Sequence, residues 1–258
     1  MKKRYYFIFI ALIVYFVVFF IMSGKSEEYK TKDKKMTLIV GNDTVFQLEK
    51  NKWNQITSPE TLNALNWQDF SIILNNKNIG KYKVVKSDRL YLFDKDNNAY
   101  KYDGNIIAYQ ANYTFKVKDF KSDVITDFST VRKVLKKNNL PIDPDYYTSN
   151  IINVDIDNDN KMEKIYIISN AFSSLNNNSE AFSIIFLEKN DTIHQIFNLT
   201  GEKAIMNKCS PYVKSIIDTN NDGKYEILIG CGGYSNMEPI YELYRFKENR
   251  FEKLATNH

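Results

Sequence analysis

The sequence is poor in histidine and cysteine. Its 258 residues include only Cys209, Cys231, His194 and His258 of these two types. Four such positions cannot supply a zinc cluster of cysteine and histidine ligands. His194 is the only histidine away from the last residue, and no Gly-x-Ser-x-Gly turn accompanies it. The sequence therefore does not predict a serine nucleophile paired with a histidine base.

Neither sign of charge is in strong excess. The chain has 35 Lys and Arg against 31 Asp and Glu, a formal net charge of +4. This charge is too weak and too diffuse to predict a nucleic-acid partner. Hydrophobic residues make up 43% and aromatic residues 14% of the chain, which is enough to bury a core. Once an N-terminal anchor is set aside, about 220 residues remain for one or two packed domains.

One long apolar run stands near the N-terminus. The residues from Tyr5 to Met22 include no charge, glycine or proline. As a helix they would span about 27 Å, close to the hydrocarbon thickness of a bilayer. The three residues before the run are basic, which predicts an N-terminus in the cytoplasm and a body outside it. We therefore predict a single-pass protein of the cell membrane.

A cleaved signal peptide is the alternative for this segment. The run is longer than the usual apolar core of such peptides, about 7–15 residues, and no small-x-small cleavage site follows it. No cysteine follows either, which disfavours a lipoprotein anchor. Lysines between positions 25 and 35 compete with the basic N-terminus over orientation. We expect residues 1–25 to form the anchor and residues 26–35 to form a solvated linker.

From Met36 onward the pattern predicts β-structure. Residues 37–40 and 44–48 flank a Gly-Asn-Asp turn and predict a hairpin. Ser58 and Pro59 predict the start of a short helix that ends near Trp67. Further strands are predicted at residues 70–74, 82–85, 90–93, 99–102 and 106–109. The whole of region 36–122 is therefore expected to be rich in β-strands.

The pattern changes in region 123–149. Three apolar side chains that begin at Phe128 are spaced i, i+3 and i+7, and they predict a helix between Asp123 and Leu140. Pro141 and Pro144 follow. They predict a connection that forms the best internal domain boundary.

The last region, residues 150–258, contains a repeat. The segment Val154–Ile168 matches Ile217–Cys231 at a shift of 63 residues. Downstream, Phe182–Lys189 aligns with Ile240–Lys247 on their apolar patterns. Each unit predicts four antiparallel strands with an acidic loop between the first two. Self-similarity on this scale is typical of repeat architectures.

Both copies place oxygen-bearing groups at alternate positions of the acidic loop. Carboxylates or amides at positions 1, 3 and 5 converge, position 7 offers a backbone carbonyl, and position 9 adds a carboxylate. Calcium, which takes six to eight oxygen ligands, fits such a loop. The first loop supplies Asp155, Asp157, Asp159, Lys161 and Glu163. The second loop supplies Asp218, Asn220, Asp222, Lys224 and Glu226. We predict a structural Ca²⁺ in both loops.

Position 6 must turn the chain sharply, which Gly223 does freely and Asn160 tolerates. An EF-hand does not fit, because Tyr166 and Ile229 stand where it needs a glutamate. The flanking β-branched runs also predict strands and not helices. The simpler alternative is an Asn-rich hairpin turn without metal, like the turn predicted after Asp94.

The pattern Asp-x-(Asp/Asn)-x-Asp-(Gly/Asn)-x-x-Glu before an apolar strand resembles the FG-GAP/VCBS repeat of integrin-type β-propellers. The resemblance covers about residues 150–254 and is better in the second copy. It implies a loop that joins two strands of a blade and a metal with a structural role. We expect a mainly β fold of antiparallel, propeller-like four-strand repeats, with a short helical insertion, behind one N-terminal transmembrane helix.

The two cysteines lie on either side of the second loop. Export from the cytoplasm would favour a disulfide between Cys209 and Cys231. A simple hairpin register leaves them about four positions out of alignment. Two buried thiols remain the alternative.

These features predict a membrane-anchored, extracytoplasmic β-repeat protein that acts as a binding, adhesion or sensing module. Calcium would stabilise its loops, and its ligand would be an envelope protein or a glycan. No catalytic residues are predicted, and an enzyme is the less favoured interpretation. A cell-envelope hydrolase and a structural subunit of a membrane complex are the alternatives.

Overall fold

A computed structural model gives the fold. It describes residues 36–257, except 43, 50–51, 88, 103–104, 111–114, 143–147, 172–179, 207–208 and 233–238. The predicted membrane anchor and linker, residues 1–35, lie outside this part of the chain. Within it, no helix has both the length and the apolar character needed to cross a membrane.

The N-terminal region forms an eight-stranded antiparallel sheet, here the N-terminal sheet. Its strands are β1 (Met36–Val40), β2 (Thr44–Glu49), β3 (Lys52–Gln55), β4 (Gln68–Leu74), β5 (Lys77–Lys86), β6 (Leu90–Phe93), β7 (Ala99–Tyr100) and β8 (Ile106–Gln110). Their order across the sheet is β3-β2-β1-β8-β4-β5-β6-β7. Ile39 lies opposite Val45 in the antiparallel pair β1–β2, so the predicted hairpin is confirmed.

Helix α1 (Pro59–Ala64) connects β3 to β4. Thr61 N donates a hydrogen bond to Ser58 Oγ at 3.4 Å, and Pro59 lies in the first turn. The predicted start is therefore confirmed. The helix ends at Ala64, before the predicted end, because the next three residues form a turn into β4. Trp67, the last residue of this turn, has a φ of 63°.

The segment before the repeats contains β9 (Lys116–Val117), β10 (Ser122–Val124) and helix α2 (Ser129–Lys137). The helix predicted from Asp123 to Leu140 is therefore present, but its predicted start is wrong. Residues 122–124 instead pair with residues 150–152 as a strand. The helix begins where Asp127 Oδ1 accepts a hydrogen bond from Ser129 N at 2.9 Å. Its apolar face is buried: Val131, Val134 and Leu135.

Two four-stranded antiparallel meanders follow. The first contains β11 (Thr148–Val154), β12 (Glu163–Ser169), β13 (Phe182–Lys189) and β14 (Thr192–Thr200). After the short helix α3 (Glu202–Met206), the second contains β15 (Ser210–Asp218), β16 (Glu226–Gly232), β17 (Ile240–Lys247) and β18 (Arg250–Thr256). Each meander pairs its strands in chain order. The prediction of two antiparallel four-strand units is confirmed.

Each meander gains a fifth strand from the preceding segment. The first repeat sheet has the order β10-β11-β12-β13-β14, and the second repeat sheet has the order β18-β17-β16-β15-β9. The second repeat sheet packs between the N-terminal sheet and the first repeat sheet. In β16, Ile227 and Ile229 face one of these cores and Leu228 faces the other. Burial on both faces explains the uninterrupted apolar sequence of this strand.

The fold is mainly β and antiparallel, as predicted, but the described sheets do not close into a propeller or a barrel. A propeller needs a further blade against each outer face. Here α2 packs on the outer face of the first repeat sheet through Val131 and Leu135. The turn after α1 packs on the outer face of the N-terminal sheet through Leu65. The expected propeller-like four-strand repeats are therefore present as antiparallel sheets, but in this part of the chain they do not form a propeller.

Candidate metal centre

The two acidic loops occupy equivalent places in the two repeats. Each joins the first strand of a meander to the second, and the pairs Val154–Glu163 and Ile217–Glu226 close them. These pairs fix both ends of each loop because they belong to antiparallel ladders. The predicted position between two strands is therefore confirmed for both loops.

The backbone turns in the same way in both loops. Asn160 and Gly223, at position 6, have φ values of 65° and 83°, as the sequence predicts. Position 4 is also left-handed, with φ of 58° at Asn158 and 60° at Asn221. Asparagine and glycine tolerate this conformation better than other residues. The composition of the loops thus follows from two left-handed positions, one of which the motif did not reveal.

The aspartate at position 1 organises each loop. Asp155 accepts hydrogen bonds from the backbone nitrogens of Asp159 (3.1 Å) and Asn160 (3.3 Å). Asp218 accepts the equivalent bonds from Asp222 (3.1 Å) and Gly223 (3.0 Å). Asp218 is also fully buried. An anionic acceptor makes these bonds stronger than neutral ones, so the loops are held in shape by their own carboxylates.

The predicted ligands at positions 1, 3 and 5 of the first loop converge. Oxygens of Asp155, Asp157 and Asp159 all lie within 4.8 Å of one another. One of them, Asp157 Oδ1, is buried and has no hydrogen-bond partner among the described residues. Three carboxylates this close repel one another unless a cation lies between or beside them. The first loop can therefore hold a cation.

In the second loop, position 3 is an amide. Asn220 Nδ2 donates a hydrogen bond to Asp222 Oδ2 at 2.8 Å, and Asn220 Oδ1 accepts one from Asp222 N at 3.2 Å. Asp222 Oδ1 also accepts from Lys224 N at 2.8 Å. The predicted ligands Asp218, Asn220 and Asp222 are thus linked in one loop with two carboxylates in place of three. The second loop therefore carries less negative charge than the first, and its oxygens remain suited to calcium.

The glutamate at position 9 stabilises the start of each loop through its Oε2. Glu163 Oε2 accepts a hydrogen bond from Ile156 N at 2.9 Å. Glu226 Oε2 accepts bonds from Thr219 N and Thr219 Oγ1, both at 2.8 Å. Burial raises the pKa of Glu226, while nearby Arg245 and Thr219 act in the opposite direction. The structure thus uses the predicted ninth ligands, Glu163 and Glu226, to hold the start of each loop.

A lysine ammonium lies among the carboxylates of the first loop. Lys189 Nζ, at the end of β13, is 2.8 Å from Asp157 Oδ2 and 2.7 Å from Glu163 Oε1. It is also 3.6 Å from Asp159 Oδ2, and its side chain is only 13% exposed. Burial lowers the pKa of Lys189, but the bonds and charges of Asp157 and Glu163 outweigh this effect and raise the pKa overall. The first loop therefore contains a cation of its own.

The second loop has an equivalent cation with fewer contacts. Arg245 Nε donates to Glu226 Oε1 at 2.7 Å. Arg245 lies opposite Glu226 in the ladder of β16 and β17. In the ladder of β12 and β13, Glu188 lies opposite Lys164, so the next residue, Lys189, lies opposite Glu163. The sequence alignment, which places Lys189 on Lys247, is therefore displaced by two residues. Lys189 and Arg245 were not predicted, and only the cross-strand register could have revealed them.

The two loops touch each other. Asn158 Nδ2 donates to Gly223 O at 2.5 Å, and Tyr225 N donates to Ile156 O at 3.0 Å. Lys118 also joins the group, because its Nζ donates to Asn158 Oδ1 at 2.7 Å. The loops therefore form one continuous unit, here called the double loop, which the sequence did not predict.

The predicted cysteine pair lies at the end of the β15–β16 ladder away from the double loop, in the core shared by the two repeat sheets. The structure joins Cys209 to Cys231 by a disulfide with a Cα–Cα distance of 5.1 Å. Pro211 lies opposite Cys231, so Cys209 is two residues beyond the aligned position. Cys209 O accepts hydrogen bonds from Ser183 Oγ (2.6 Å) and Ser169 Oγ (3.3 Å). These bonds tie the disulfide to the first repeat sheet.

His194 lies on β14, where its Nδ1 is 2.9 Å from Asn249 O and its ring packs edge-on against Phe246. This geometry places the imidazole in a contact between two strands. The chain matches no family model, and it shows no significant similarity to any curated protein or any solved structure.

Proposed function

We propose that the protein is a membrane-anchored, extracytoplasmic β-repeat module that binds a ligand at the cell envelope and is stabilised by calcium. The observation that carries this proposal is the double loop. Two loops with the same hydrogen-bond pattern lie in contact, at equivalent places in two meanders. A repeated and pre-shaped loop of this kind is a device for holding a cation between strands.

The second loop is the better calcium site. Asp218, Asn220 and Asp222 would supply side-chain oxygens, and Lys224 would supply its carbonyl. Arg245 is engaged with Glu226 and leaves these three side chains to the ion. In the first loop, calcium would meet Asp155, Asp157, Asp159, the carbonyl of Lys161 and Glu163. There it would have to displace the ammonium of Lys189.

The proposal includes a relationship to FG-GAP/VCBS repeats. Its support is the order strand, acidic loop, strand, connection, strand, turn, strand in both meanders. In this interpretation each meander is a blade-like unit, and the ion joins its first two strands. The anchor would hold the module at the bilayer, and the exposed surfaces of the sheets would meet an envelope protein or a glycan.

Calcium titration by calorimetry tests the proposal on the full chain in detergent micelles. We expect one site at the second loop, which is lost in Asp222→Asn and in Asn220→Ala. Asp218→Ala is less suitable, because Asp218 is fully buried and holds two backbone nitrogens. Asp123→Asn is the matched control, because this half-exposed carboxylate lies outside the loops and pairs with Lys121.

Thermal unfolding provides the second measurement. Calcium at a hundred times its Kd should stabilise the native state by about 2.7 kcal/mol. For a domain of this size, the melting temperature should rise by roughly 5–10 °C over a chelator control. No binding heat and no melting shift would show that the loops are polar turns and would remove calcium from the proposal.

A further inference from the structure

The N-terminal sheet carries a partly exposed aromatic surface on β5 and β6, beside the strands that pack against the second repeat sheet. On strands β4 to β6, one face is buried through Phe70, Val84 and Leu92. The opposite face carries Val85 and Tyr91, which lie across from each other, and Phe93, which lies across from Lys83. These residues, together with Trp67 and Arg89, are here called the Trp67 face.

Trp67 is the most exposed aromatic residue of this surface. Its side chain is 55% exposed, whereas Trp53, the other tryptophan, is buried. The Trp67 ring lies 4.9 Å from the ring of Phe93, centroid to centroid. The φ of 63° is unfavourable for a bulky side chain. Trp67 N nevertheless donates to Val84 O at 2.7 Å, so the strand ladder holds the ring in this outward position.

Basic side chains surround the aromatic rings. Lys81 and Lys83 project from β5 on the same face, and the Arg89 guanidinium lies 4.8 Å from the centroid of the Tyr91 ring. On the same face, Asp69 is the acidic residue of β4 and lies opposite Lys83. Aromatic rings mixed with lysine and arginine are typical of surfaces that sit at the interface of an anionic bilayer.

The chain enters the sheet at the same end. Thr37, next to the first described residue, lies opposite Gln110 in β8. Gln110 Nε2 in turn donates to Gln68 Oε1 at 2.7 Å, and Gln68 is the neighbour of Trp67. The start of β1 and Trp67 therefore lie at the same end of the N-terminal sheet.

We propose that the Trp67 face docks on the anionic lipid bilayer in which the chain is anchored. The proposal rests on the membrane anchoring proposed above and adds the surface that meets the lipid. Trp67 and Phe93 enter the interfacial region, while Lys81, Lys83 and Arg89 pair with lipid phosphates. Docking fixes the N-terminal sheet against the bilayer and leaves the two repeat sheets as the part that meets other ligands.

Tryptophan quenching by brominated lipids tests this docking on the full chain. The predicted anchor contains no tryptophan, so the fluorescence of the Trp53→Phe variant comes from Trp67 alone. The difference in fluorescence between the wild type and Trp67→Phe gives the same signal without altering the core. The chain is reconstituted in brominated phosphatidylcholine vesicles with and without phosphatidylglycerol. We expect strong quenching and protection from aqueous iodide in the anionic vesicles, with a marked loss at high salt.

The charge requirement is tested with a matched pair of variants. Lys83→Gln with Arg89→Gln should lower the ratio of docked to undocked protein by roughly thirtyfold in anionic vesicles. Lys77→Gln with Lys95→Gln removes the same charge at the first residue of β5 and in the turn after β6, outside the Trp67 face, and it should leave the quenching unchanged. Equal effects of the two pairs would overturn the proposal.

Flotation separates docking from anchoring. If the protein floats with vesicles after a carbonate wash but Trp67 is unquenched and open to iodide, the docking is wrong and the face belongs to a sugar or a protein. If carbonate removes the protein from the vesicles but Trp67 is quenched before the wash, the docking proposal is supported and the anchoring proposal is contradicted. A protein that never floats overturns both.

Discussion

Replacing Lys189 with methionine removes the cation of the first loop and keeps most of the apolar stem. The ammonium contacts Asp157, Asp159 and Glu163, and the Glu163 side chain is only 3% exposed. The variant leaves one buried and two half-buried carboxylates facing one another. When no metal is bound in the loop, these carboxylates repel one another and the native state loses stability.

The expected size of this loss follows from burial. Removing one partner of a buried ion pair costs about 3–5 kcal/mol. Asp157 and Asp159 keep contact with water, at 25% and 36% exposure. We therefore expect the lower end, about 3 kcal/mol, or a fall in melting temperature of roughly 6–12 °C for a domain of this size. Lys164→Met is the control, because its 4.0 Å contact with Glu188 is half exposed, and it should cost less than about 1 kcal/mol.

Circular dichroism melts in chelator and in calcium provide the assay. In chelator, Lys189→Met should melt well below the wild type. In calcium, it should recover, since the three aspartates of the first loop then accept the divalent ion in place of the ammonium. Asp157→Asn combined with Lys189→Met should show a coupling energy of about 1–3 kcal/mol. A variant that melts like the wild type in chelator, or a coupling of zero, would refute the electrostatic account of this loop.

Three further changes probe other parts of the fold. Burial lowers the pKa of Lys214 to about 8 from 10.5, so the unfolded chain binds more protons between these values, and stability should rise with pH across that range. Lys214→Met should abolish this rise in urea unfolding curves measured at several pH values. In Gly230→Ala, the added Cβ would lie 2.3 Å from Tyr212 Cζ, and we expect a loss of about 1–3 kcal/mol by chemical denaturation. Gly232→Ala meets the same ring at 3.8 Å and should be tolerated, so an equal loss in both variants would contradict the clash. Reduction of the disulfide between Cys209 and Cys231, which closes a separation of 22 residues, should cost about 3 kcal/mol in a thermal melt under dithiothreitol, and an unchanged melt would contradict its structural role.

Features that depend on a few adjacent residues could be predicted from the sequence. The β1–β2 hairpin follows from two apolar runs around a Gly-Asn-Asp turn, and the start of α1 follows from Ser58 and Pro59. The acidic loops were found because alternating oxygens and a left-handed position 6 are both visible in the sequence. Each of these signals is local, and tertiary packing reinforces it.

Features that depend on strand register could not be predicted. β13 is buried along most of its length, and a shift by two residues keeps every side chain on the same face. The apolar pattern therefore could not distinguish Lys247 from Arg245 as the equivalent of Lys189. For the same reason, the apolar pattern could not reveal which cations lie beside Glu163 and Glu226. The contact between the loops depends on how the two repeat sheets pack, which no single strand encodes.

The strand β10 shows how tertiary pairing overrides a helical pattern. Asp123 is the first residue of the predicted helix, yet it pairs with Ile151 of β11. The strand covers an edge of the first repeat sheet that would otherwise be open. Val124 is 70% exposed in this strand, so its side chain contributes little by burial.

The short edge strands have a consequence for crowding at a surface. β7 and β9 contain two residues each and β10 contains three, so three of the six sheet edges end in ladders too short to template another chain. The long edge strands β14 and β18 contact each other, and His194 Nδ1 of β14 lies 2.9 Å from Asn249 O in the turn before β18. At high local concentration, the three short edges would therefore resist pairing edge to edge with another copy of the chain.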